Sequence, residues 1–289
     1  DPRTFLEREV TGTALQAHPY RWPTIGYLSD LQSITRDDLV RHYRTYYVPN
    51  NAILVAAGGF DAAKAMPLVR RHFGRLRKGP LPPPLRTVEP EMSGERRVRL
   101  QRPSGAAYVH VAWHAPAVAE ADFAVLLMLD GLLAGGPSVN PWAGGGGAPS
   151  KASRLHKALV ETSLAADFGT SLVPTRHPYL YAVQATASEG VDPARLEAAI
   201  VAEVEALAEG RIEARDFERA REQFLARYAL ESESVTDVAH QLGYFETIGS
   251  HALWLALPAR LSKVTAADVA RLARARLDAR HRTVGTLVP

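Results

Sequence analysis

The sequence contains no cysteine among its 289 residues, which excludes disulfides, thiolate metal sites and cysteine nucleophiles and leaves the compartment open. No apolar run approaches the roughly eighteen residues of a membrane span. An excess of charge of one sign is missing too. Thirty-four basic and 31 acidic side chains are interleaved, for a net charge of +3. The densest basic run, "RRHFGRLRK" (70–78), reads as a solvated helix end and linker. A basic stripe with stacking aromatics is lacking, so nucleic acid is not an expected partner. What is there is 46% hydrophobic and 22% charged, enough apolar material for one large domain or two ordinary ones.

Along the chain, Phe5, Leu6, Val10 and Ala14 share one face of a helix over 3–17. The stretch "AHPYRWPTIG" (17–26) follows as a shaped connection, with Tyr20 and Trp22 expected to pack on that first helix. Thr35 with Asp38 forms a capping box for a helix whose buried stripe would be Leu39, Tyr43 and Tyr46. "VPNN" stops it, and "AILVAAG" (52–58) reads as a short apolar strand. Asp61 caps a further helix that holds Pro67 and ends at Gly74. "GPLPPPLRTVEPE" (79–91) is a semi-rigid linker, because its prolines fix φ and remove donors.

Beyond the linker, "RRVRLQ" and "AAYVHVAWH" read as strands, "DFAVLLMLDGLLA" as an apolar helix, and "SRLHKALVE" as helix after a glycine-rich loop. "LAADFGTSLV" and "YLYAVQATAS" are two more strands. Asp192, Pro193 and Gly210 mark the cap, first turn and end of the next helix. Another long helix follows, then two shorter ones over 235–260. The last segment, "VTAADVARLARARLDARHRTVGTLVP" (264–289), repeats residues 34–59 at an offset of 230: Thr265 and Asp268 fall on Thr35 and Asp38, Val269 on Leu39, Leu277 on Tyr47, and strand on strand. The expected fold is therefore α+β: two duplicated domains, each an antiparallel-rich sheet packed on helices, the first copy truncated. The expected divisions are 1–78, a linker at 79–91, and a second domain at 92–289.

Two candidate sites dissolve on inspection. His110 and His114 have the i, i+4 spacing of a helical metal pair, but their segment alternates polar and apolar residues as a strand does, which puts them about 13 Å apart. In "GGGGAPSKAS", Lys151 follows Ser150 rather than glycine, and a helix precedes the loop where a phosphate loop needs a strand. Ser104 and Ser153 carry no Ser-His-Asp logic, and His18 reads as a structural loop histidine.

"AHPYRWPTIGYLSDLQSITRDDLVRHYRTYYVPNNAILVAAGGFD", with "HVAWHAP" and "ASRLHKALVE" further on, resembles the insulysin and pitrilysin family of zinc metallopeptidases, especially its shorter mitochondrial-processing-type members. The resemblance implies paired α+β domains that close around a peptide. It implies zinc held by an H-x-x-E-H motif, with Glu activating water. This sequence has neither H-x-x-E-H nor H-E-x-x-H. The expectation is thus a non-catalytic portion of a zinc metalloendopeptidase, with no catalytic or metal residue of its own. It would serve as scaffold and chamber wall, meet peptide through its parent, and adjoin a missing N-terminal half-domain. Zinc belongs to the parent, and a homo- or heterodimeric partner is compatible with the family. A structural partner subunit of the same fold is the alternative. By the same resemblance, Gly144, Gly145, Gly146 and Gly147 lie in a loop associated with substrate recognition. Val160 and Asp167 occupy positions where many relatives place an Arg and a Tyr that grip the peptide backbone; neither can do that job. In two-subunit members that pair tends to sit on the subunit without zinc, so its absence favours a parent with H-x-x-E-H.

Overall fold

The computed structural model describes residues 1–136, 138–141 and 149–289. The first segment is helical: α1 (Pro2–Ala14), α2 (Leu28–Ser33), α3 (Arg36–Tyr46) and α4 (Ala62–Phe73), with a 3-10 turn at Pro19–Arg21 in the loop after α1. Asp1 caps α1 by accepting from the Arg3 and Thr4 N–H groups. Residues 79–91 form neither helix nor strand, as their prolines require. Next come β1 (Arg96–Gln101), β2 (Tyr108–Ala115), α5 (Asp122–Leu133), β3 (Ala165–Leu172), β4 (Tyr179–Ala187), α6 (Pro193–Ala208) and α7 (Ala214–Glu231). The chain finishes with α8 (Val235–Ile248), α9 (His251–Leu255), α10 (Leu257–Leu261), α11 (Ala266–Arg276) and β5 (Arg282–Val288). No helix among the described residues is long and apolar enough to cross a membrane.

The sheet runs β1-β5-β2-β4-β3, so the last strand enters between the first two. It pairs parallel with β1 and antiparallel with β2; the β2–β4 and β4–β3 pairs are antiparallel. The two faces bury separate cores. Val109, Val111, Trp113 and Ala115 of β2 pack with Tyr181 and Val183 of β4 against the helical layer, at whose centre α5 is buried from Phe123 to Leu133. On the opposite face, Leu6, Val10 and Ala14 of α1 pack on Ala112, Leu180, Ala182 and Leu287. Helix α1 thus belongs, by packing, to the sheet built beyond residue 92. It lies so close that a Cβ on Gly285 would stand 2.2 Å from Val10 Cγ2 and 2.9 Å from Leu6 Cδ1.

Helix α3 and the 3-10 turn Pro49–Asn51 match α11 and the 3-10 turn Ala279–His281 in length, each at the offset of 230. Both helices carry the full capping box, with 2.6 Å between threonine hydroxyl and aspartate in each. The match ends at the strand. Residues 52–58 form no strand, because no strand among the described residues runs beside them to complete the ladder. The expected stripe of α3 is also open, with Leu39, Tyr43 and Tyr46 all exposed. Two smaller expectations shift: 235–260 holds three helices rather than two, and "SRLHKALVE" contains a π-type turn at His156–Val160.

Candidate functional site

The apolar stripe of α1 contacts β1, β5 and β2. Between its other flank and the edge strand β3 lies a trough. Its floor is sheet: Gln184 from β4, and Gly169 and Ser171 from β3, where a Cβ on Gly169 would meet nothing within 4 Å. Three cavities, of about 150, 340 and 570 Å³, line up along it. The first two share Gly169 and Gln184 in their linings, and the second and third share Glu7 and Val173, so the three are neighbours along α1. The widest part is walled by Tyr20, Trp22, Pro23, Ile25 and Tyr179, an aromatic and proline-rich surface with polar groups at its margin.

At the narrow end, an Arg3 guanidinium N–H donates to Asp167 Oδ2 at 2.5 Å and to Thr186 Oγ1 at 2.8 Å. The Thr186 hydroxyl in turn donates to Asp167 Oδ1 at 2.7 Å. This closed triangle ties the start of α1 to the sheet edge. Burial raises the Glu7 carboxyl, against the lowering effect of its hydrogen bond with Gln184. Beneath α1, burial depresses His110 from 6.5 to about 4, so its imidazole is neutral at pH 7.

The loop after α1 is pinned from the linker. The Glu89 carboxylate accepts from three successive N–H groups, of Gln16 at 2.6 Å, Ala17 at 2.9 Å and His18 at 2.8 Å. Burial alone would raise this carboxyl, but the three donors and nearby His114 hold it below the usual range. The last carbonyls of α1 are satisfied as well: Arg96 donates to Thr13 and Ala14 at 2.9 and 2.7 Å, and His114 Nε2 pairs with the Ala14 oxygen at 3.0 Å. His18 is buried, its Nδ1 accepting from the Tyr20 N–H, and burial and His177 depress it. Tyr20 packs edge-on against Tyr179 at 5.5 Å. Trp22, expected on the first helix, is instead 64% exposed at the trough rim, since the 3-10 turn that seats Tyr20 points the next ring outward.

Of the residues singled out from sequence, the structure brings Asp167 to the trough and leaves Val160 half-buried against the helical core, away from it. Gly144, Gly145, Gly146 and Gly147 lie outside the described residues. His110 and His114 are strand residues on the α1 face, as their alternation predicts. Arg3, Glu7, Gly169 and Gln184 were not anticipated, because no local motif marks residues that only the α1–sheet docking assembles. The polar flank of α1 was the one available signal. Among the described residues, no group of three or more His, Asp or Glu could hold a metal ion.

The trough thus lies beside a mixed sheet that is covered by several helices on one face and by a single helix on the other. The chain belongs to the family described as the peptidase M16 inactive domain, matched over residues 33–224. It is 28% identical over 247 residues to the zinc protease PqqE of Helicobacter pylori, covering 82% of this chain and 51% of that protein. It is 25% identical over 277 residues to a Schizosaccharomyces pombe protein named as a mitochondrial-processing peptidase subunit beta, covering 90% and 56%. The chain thus spans about half the length of these curated relatives. In fold it is similar to a protease from Helicobacter pylori, with a TM-score of 0.89 at 23% identity over 99% of this chain and 67% of that one. A peptidase M16 inactive domain from Pseudomonas fluorescens gives 0.84 at 15% identity over 100% and 66%.

Proposed function

We propose that this chain is the non-catalytic portion of a zinc metalloendopeptidase and supplies scaffold and one wall of its peptide chamber. The carrying observation is the trough beside α1, open along a sheet edge and walled by Tyr20, Trp22 and Tyr179, in a chain of the inactive-domain family. One of the proteins it is similar to is named a zinc protease, which supports zinc in the parent protein rather than in this chain. An extended peptide fits such a surface, since a flat floor of Gly169 and Ser171 admits a backbone and the aromatic rim takes side chains. The divisions 1–78, 79–91 and 92–289 remain our working segments, with α1 reaching across from the first to the last.

The reading is tested by assaying the chain alone and the chain extended by its flanking coding sequence, with zinc and an unstructured peptide. Cleavage that requires the extension and zinc supports it. Zinc-dependent cleavage by the chain alone contradicts it. A second reading, a structural partner subunit, is favoured by the fold likeness to a chain of complex III2 from Candida albicans, with a TM-score of 0.80 at 15% identity. An extension with a degenerate H-x-x-E-H motif would select that reading.

A further inference from the structure

The narrow end of the trough holds a polar side chain without a partner. His110 is 3% exposed and lines the cavity of about 150 Å³, yet it takes part in no hydrogen bond, ion pair or ring contact among the described residues. Buried polar groups in a folded protein are satisfied by protein, water or ligand, so such an imidazole points to an occupant. Strand register explains its isolation. Gly285 on β5, His110 on β2, Gln184 on β4 and Gly169 on β3 are consecutive partners, a single row across the sheet. The Gln184 side chain is engaged with Glu7, and the two glycines carry nothing to meet the ring.

The surroundings of the ring define the chemistry of that occupant. Arg3, Asp167 and Thr186 beside it are bonded to one another, so the guanidinium and the carboxylate are already paired. An added anion would face Asp167 and an added cation Arg3, and either would give up its water for a pocket without a free counter-charge. The imidazole itself is neutral, so one ring nitrogen donates and the other accepts. A neutral hydrogen-bonding group completes it. Size and depth narrow the class further. A cavity near 150 Å³ takes up a benzene-sized ring. His110 lies two strands in from the edge strand β3, about 10 Å at the usual strand spacing. The way in is over Gly169, which lines both this cavity and the next one along the trough, and where a Cβ would meet nothing within 4 Å. Serine, threonine and asparagine side chains stop short of that depth. A phenol spans it, with its ring in the cavity and its hydroxyl at the imidazole.

We propose that the narrow end of the trough is a specificity pocket for a tyrosine side chain of the bound peptide, with His110 as the group that selects its hydroxyl. Leu6 and Tyr108 supply the apolar lining beside the ring. Phenylalanine would leave the imidazole unpartnered, and a site built around a hydroxyl rejects the analogue that lacks it. The inference rests on the reading of the trough as a peptide wall and names the residue type that this wall prefers.

Titrating the 289-residue chain with p-cresol and with toluene tests it, read by NMR at the ring nitrogens of isotope-labelled histidine. The cresol should shift His110 and bind at least about tenfold more tightly than toluene. His110→Leu should leave the chain folded, since it removes an unpartnered polar group, and should bring the two ligands to equal affinity. Gly169→Val should block the way in and weaken both ligands while His110 stays in place. Equal affinity of the two ligands for the wild type overturns the proposal, as does uptake of neither, or a preference for p-cresol that survives His110→Leu. In the extended protein, a peptide carrying tyrosine should show kcat/KM at least about tenfold above its phenylalanine counterpart. Binding of p-cresol at His110 in a protein whose extended form cleaves nothing would refute the peptide-wall reading alone; cleavage indifferent to tyrosine would refute this inference alone.

Discussion

At the residue scale, two carboxyls in opposite environments give opposite pH signatures. Glu89 is held below its ordinary range, so its contribution to stability is present above pH 4.5 and lost as pH falls through its folded value. Replacing Glu89 with Ala removes acceptors from three N–H groups and should cost about 1–3 kcal/mol at pH 7 and flatten the acid limb of the melting curve. Asp130 is the reverse case. Fully buried in the helical core and accepting from the Tyr181 hydroxyl at 2.9 Å, it is raised from 3.8 to about 6. Its stabilising, protonated form is complete below pH 3.8 and lost as pH rises through 6. Asp130→Asn keeps an acceptor for Tyr181, and should remove a pH 4–6 slope that urea titrations of the wild type at several pH values would reveal. Neither residue was singled out from sequence. Glu89 sits in a proline-rich linker and Asp130 inside an apolar helix, and only folding brings their partners to them.

At the scale of elements, the capping boxes of α3 and α11 and the alternation of β2 were legible, because each is set by residues within a few positions. The docking of α1 was not. Its apolar stripe demands a partner, but nothing local says that the partner is a sheet formed some ninety residues on. The same limit explains the missing strand at 52–58: apolar β-branched sequence creates the demand for a ladder, and no strand among the described residues supplies one. The α1–sheet contact is tested at its tightest point. Gly285→Ala should destabilise the protein by roughly 1–3 kcal/mol through collision with Val10 and Leu6. Combining it with Val10→Ala should recover part of that loss, measured as a double-mutant cycle in urea. A loss unchanged in the double mutant would mean that the helix does not rest on this strand.

At the scale of the whole molecule, one sheet is covered on both faces, while α2–α4 and residues 52–58 expose apolar surface that their sequence pattern would bury. The family was legible, because the His-Pro-Tyr loop and the Ser-Arg-Leu helix are short-range features. The trough was legible only at Asp167, since Arg3, Glu7 and Gln184 come from elements far apart in the chain. If the trough is a peptide wall, replacing Tyr20 and Trp22 with Ala in the extended protein should raise KM for an unstructured peptide about tenfold with kcat nearly unchanged, because both rings contact substrate alike in ground and transition states. The most direct test of the account is peptide cleavage by the chain with and without its flanking coding sequence, each dialysed against chelator and reloaded with zinc. We predict no zinc-dependent turnover by the 289-residue chain and restored turnover by the extended one. Zinc-restored turnover by the chain alone would contradict it.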